Sequence, residues 1–142
     1  MSALEKGKPF PNLFLNRPDG TSFELVDLRR REHALVLLLR HPDAAHLAFV
    51  SHFQDRAKLF EWLNLRLVAV FAKIDTVNTP WPAPGYPPCL HARPLPDGLD
   101  WDKAYVVSKN GTLLETYEEP EFLGVDAIER DLLYWEAGHC LP

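Results

Sequence analysis

Arg40-His41-Pro42-Asp43-Ala44-Ala45-His46 gathers a guanidinium, two imidazoles and a carboxylate between an apolar run and an amphipathic segment. A helix amino end presents unpaired amide N–H groups and a positive dipole end. Arg40, His41, Asp43 and His46 placed there could hold an anion, a metal ion or a small ligand. A plainer reading competes with this. Asp43 as a helix N-cap would accept a hydrogen bond from the first turn, worth about 1 kcal/mol. A histidine in the first turn of an amphipathic helix faces solvent more often than it ligates, and the set lacks zinc-site spacing, so no metal is expected. The other reactive groups are the two cysteines. Cys89 lies in Tyr86-Pro87-Pro88-Cys89-Leu90-His91 and Cys140 in Gly138-His139-Cys140. Unpaired thiols, a disulfide, and a Cys/His metal site formed with His91 and His139 all remain open. Neither cysteine sits at a helix amino end, so nothing local favours a reactive thiolate.

The elements that must position these groups follow from period and punctuation. Ala34 to Leu39 is a continuous apolar run of strand length, as a central strand buried on both faces requires. From Asp43 the period changes: Phe49, Phe53, Ala57, Phe60 and Leu63 recur every three or four residues, which predicts a helix over Ala44 to Leu63 that ends near Asn64. Leu65 to Ala72 is a second buried strand, and strand, helix, strand in succession predicts a parallel pair. Two hairpins flank this unit. Asn12 to Leu15 and Ser22 to Leu25 bracket Asp19-Gly20, and Ala104 to Ser108 and Thr112 to Tyr117 bracket Asn110-Gly111. Ile128, Leu132 and Trp135 stripe a last helix from Val125 to Glu136, and Trp62 and Trp135 are expected as core or half-buried anchors.

Between the second strand and the last hairpin runs an aperiodic segment, Lys73 to Asp102, holding Pro80, Pro82, Pro84, Pro87, Pro88, Pro94 and Pro96 of the chain's 13 prolines. Long excursions of this kind tend to carry function. Trp81, Tyr86 and Trp101 on it form a candidate surface for a protein partner or for self-association; covering of the sheet edge is the competing role.

At 142 residues, 46% hydrophobic and 25% charged, the chain reads as one domain spanning residues 1–142, with enough length for a full core. Its longest apolar run is far too short for a membrane span, and its first residues lack the basic and apolar regions of a signal peptide, so a reducing, cytoplasmic setting is expected. A net charge of -5, with Arg29-Arg30-Arg31 the one basic cluster, argues against nucleic acid as a partner. No cofactor is implied.

Hairpin, strand, helix, strand, long loop, hairpin and helix, in that order, resemble the thioredoxin-like superfamily. The likeness is to the branch holding the peroxiredoxins (the AhpC/TSA group) and the TlpA-type thioredoxins. Gly7-Lys8-Pro9-Phe10-Pro11 resembles their opening Gly-x-x-x-Pro segment, Asp19-Gly20 their first turn, and Ala104 to Gly111 their strand ending in an Asp-x-x-Gly-like turn. The resemblance implies an α/β three-layer sandwich, a mixed central sheet flanked by helices with an added N-terminal hairpin. It also implies a thiolate at the start of the first long helix, and here the chain departs. A TlpA-like register lays Asp43-Ala44-Ala45-His46 over the Cys-x-x-Cys motif, and a peroxiredoxin-like register puts the peroxidatic position near Phe49; neither supplies sulfur. The family's cis-proline falls near Asp102, where no proline occurs. The expectation is therefore a redox-inactive thioredoxin-like domain acting as a binding, adaptor or accessory module. The alternative is a divergent thiol oxidoreductase or peroxidase using Cys89, with Cys140 to resolve it.

Overall fold

Seven strands of one sheet run in the order β2-β1-β5-β4-β3-β6-β7 in a computed structural model, which describes residues 5–17, 20–28, 32–40, 44–72, 88–91, 94–118 and 125–136. At its centre β3 (His33–Leu39) is buried at every position, the outcome its unbroken apolar run demands. It pairs in parallel with β4 (Leu65–Phe71) and antiparallel with β6 (Lys103–Val107). β6 continues antiparallel into β7 (Leu113–Glu118), with a register shift between Val106 and Val107. The turn joining them holds Gly111 at φ 86, a backbone angle that glycine adopts without penalty. The first hairpin, β1 (Phe14–Asn16) with β2 (Ser22–Glu24), closes through Gly20 at φ 90 and forms the far edge.

A correction concerns the long segment after β4, read from sequence as aperiodic throughout. Cys89–Leu90 form a two-residue strand, β5, that inserts between β1 and β4; it is parallel to β4 and antiparallel to β1. Two residues are too few to show a period. From Pro94 to Trp101 the chain crosses one face of the sheet, burying Leu99 and half-burying Leu95 and Trp101.

A second correction concerns the helix. The stretch expected as one helix over Ala44 to Leu63 is broken at Arg56 (φ -109, ψ 20) into α1 (Ala44–Asp55) and α2 (Ala57–Trp62). In a straight helix, residues seven apart are separated by about 10.5 Å along the axis. Phe53 and Phe60 instead stack with centroids 4.4 Å apart and planes 7° from parallel, contact that the bend permits. The bend also turns the Arg56 guanidinium onto Glu129 of α3 (Val125–Glu136). Trp62, expected as an anchor, is 68% exposed: Phe60 and Leu63 take the inward positions at that end, leaving the indole outside. The side chain of Trp135 lies outside the described residues.

Two apolar layers sandwich the sheet. Phe49, Val50, Phe53, Phe60 and Ile128 of the helices meet Leu35, Leu37, Leu39, Leu67 and Val106 on one face. Phe10, Leu13, Leu25, Leu99 and Cys89 gather with Val36, Leu38, Val68, Val70 and Tyr105 on the other. Strand alternation divides β3 and β4 between the two clusters.

Candidate functional site

The carboxyl end of β3 leads into α1, so the corner that the sequence singled out forms where a parallel strand meets a helix start. Such ends are where open α/β sheets place ligands. Arg40 is exposed there. Its backbone N–H donates to Asp102 Oδ1 at 3.2 Å, and the Asp102 N–H donates to the Leu38 carbonyl at 2.5 Å. Asp102 adopts φ 65, a left-handed conformation that short polar side chains tolerate best. Asp102 therefore ties the last turn before β6 to the end of β3 by two bonds. Sequence reasoning noted only a missing proline at this point; an aspartate just ahead of a strand was the available signal.

Beside this clamp, Lys103 bridges Glu118 at 3.0 Å and Asp100 at 3.4 Å. The Glu118 carboxylate, followed by Asp100, raises the lysine's pKa. The Asp100 N–H donates to the Tyr105 hydroxyl at 3.0 Å, and burial raises the phenol's pKa. His46, a candidate ligand or partner residue whose plainer reading was solvent-facing, is buried at 5% exposure, on the side of α1 that also buries Phe49, Val50 and Phe53. His41 and Asp43 lie outside the described residues, as do Trp81, Tyr86 and Cys140; Trp101 is half-buried against the second apolar cluster. Among the described residues, no three or more His, Cys, Asp or Glu side chains group closely enough to hold a metal ion.

Cys89 stands elsewhere. It lies on β5, with β4 between it and β3, 3% exposed and in register with Val70. Burial pushes its thiol up from 9.0 to about 11, and the positive charges of Arg17 and Arg66 offset that only in part. His91, also buried, follows two residues later and continues the ladder by donating its N–H to the Phe71 carbonyl at 3.0 Å. A low-pKa thiolate is the reactive form of cysteine, and this environment opposes it. Away from both places, a cleft of about 480 Å³ runs along the first hairpin, lined by Phe14, Asn16, Phe23, Glu24 and Asp27 among others. Nothing in the sequence pattern marked it.

Searches against protein-family models and against curated proteins find no match. Solved structures do match. Peroxidoxin BcpB from Mycobacterium tuberculosis superposes with a TM-score of 0.67 at 16% identity, covering 93% of this chain and 97% of that one. A yeast mitochondrial 1-Cys peroxiredoxin gives 0.70 at 13% identity over 94% and 77% of the two chains. A putative thiol:disulfide interchange protein DsbE from Chlorobium tepidum gives 0.70 at 18% identity over 93% and 98%. The fold is thioredoxin-like, of the kind found in peroxiredoxins and DsbE/TlpA-like proteins.

Proposed function

We propose that this thioredoxin-like chain works by binding, as an adaptor or accessory module, and not by thiol exchange. The observation that carries the reading is Cys89: the thiol is buried in the sheet, its pKa is raised to about 11, and it stands on a strand separated from β3 by β4. Arg40 to Phe49 contains no cysteine, so the start of α1 has no sulfur for its dipole to stabilise. Asp102, near where the resemblance would put a proline, instead bonds its carboxylate to the Arg40 amide. The exposed Arg40, with His41, Asp43 and the proline-rich segment around Trp81 and Tyr86, would supply the contact surface for a protein partner or a second copy. The alternative, a thiol oxidoreductase or peroxidase using Cys89 and Cys140, needs a thiolate that burial disfavours.

Hydroperoxide consumption and insulin-disulfide reduction test this directly on the full chain. The expected rate equals that of a Cys89→Ser/Cys140→Ser double variant. Turnover that vanishes on Cys89→Ser alone would overturn the proposal and establish the enzyme reading.

A further inference from the structure

His33 opens β3 and is buried at 6% exposure. Its Nδ1 accepts a hydrogen bond from the Lys109 backbone N–H at 3.0 Å. An N–H donor leaves the ring one arrangement for this bond: Nδ1 bare and the proton on Nε2. The Lys109 amide belongs to the β6–β7 turn, which the Ser108 and Thr112 backbones and hydroxyls close. An amino-terminal strap hangs from that turn. Gly7 donates to the Leu113 carbonyl at 2.8 Å, Phe10 to the Gly111 carbonyl at 2.8 Å, and Leu113 to the Lys8 carbonyl at 3.0 Å. The strap in turn seats Phe10 against Tyr105, ring centroids 5.5 Å apart, over an apolar recess that includes Leu25, Ala34 and Val107.

We propose that His33 makes the attachment of this strap proton-sensitive. With Nδ1 bare the imidazole helps to hold the turn; with Nδ1 protonated two donors face each other, the turn loses this tie to the start of β3, and the strap that hangs from it loosens. Only an imidazole with Nδ1 unprotonated makes the bond, so acid that protonates Nδ1 abolishes it. Glu32, just ahead of β3, and Arg66 on β4 fall on the opposite face of the sheet, by alternation with His33 and its register partner Leu65. Glu61 sits in the last turn of α2, and Lys109 carries the donating amide.

Amide hydrogen exchange on the full chain at about pH 7.5 and about pH 5, corrected for intrinsic rates, tests the inference. Protection of the Lys109, Phe10 and Leu113 amides is expected to fall at least about fivefold in acid relative to amides of β3 and β4, as loss of one buried bond predicts. In His33→Asn, whose Oδ1 accepts at either pH, the same amides should change less than about twofold. An equal fall in both proteins, or none in the wild type, would overturn the proposal. If the variant does not fold, imidazole ¹⁵N shifts of the wild type decide: Nδ1 protonation coinciding with loss of strap protection supports it, and either event without the other refutes it.

Discussion

The raised pKa of Cys89 predicts a specific and large deficit in reactivity. With the thiol at about 11 in the fold and 9.0 as its reference value, the thiolate fraction at about pH 8 drops from about one in ten to about one in a thousand. Only the thiolate attacks an aromatic disulfide reagent or iodoacetamide. In a Cys140→Ser background, where Cys89 is the sole thiol, the folded protein should react on the order of 100-fold more slowly than the same protein in denaturant. Its 3% exposure slows the reaction further, since the reagent must also reach the sulfur. The assay is a stopped-flow or manual trace of thiol modification at matched pH. The sign extends to stability. The folded state holds the proton more tightly, so the contribution is full below about pH 9 and is lost between about pH 9 and about pH 11. A native rate within about threefold of the denatured one would refute the reasoning, because neither burial nor a raised pKa is compatible with it.

Other substitutions test the remaining parts. Asp102→Ala removes the carboxylate from the Arg40 amide while keeping φ 65, and Asp102→Gly removes it while relieving the backbone, so by urea denaturation the glycine variant should be the more stable by about 1 kcal/mol. Phe53→Ala empties a fully buried site stacked on Phe60 and should cost about 3 to 5 kcal/mol. Trp62→Gln, at an outward position, should stay within about 0.5 kcal/mol of wild type in the same measurement. The Tyr117 hydroxyl donates to Asp131 at 2.6 Å, and burial, then that carboxylate, raise its pKa. Its contribution is full below the ordinary phenol range near pH 10 and is lost above it; Tyr117→Phe should flatten the alkaline end of the stability profile followed by circular dichroism.

Most elements were legible in the chain because their signals are local. An unbroken apolar run marks β3 and β4 as strands covered on both faces, a three-to-four repeat marks the helical stretch, and Asn110-Gly111 marks a turn. The order of these elements led to the thioredoxin-like fold that the superposed structures share. The missing sulfur at Arg40 to Phe49 was equally plain, being a matter of composition at one place.

What the sequence alone determined, then, is which segments extend, which coil, and which reactive groups are absent. Tertiary structure decided the fate of the groups that are present. Cys89 is inert or reactive according to what lies on either side of it, and it was the insertion of β5 between β1 and β4 that buried it. His46 turned inward, Trp62 outward, and the helix broke at Arg56, all because α1 and α2 had to fit against a particular sheet face and against Glu129 of α3. Asp102 became a clamp only because the antiparallel pairing of β6 brought it beside Leu38 and Arg40, far away in the chain. Period and propensity act over a few neighbouring residues, whereas burial, pKa and hydrogen-bond partners depend on elements that meet only after the chain has folded.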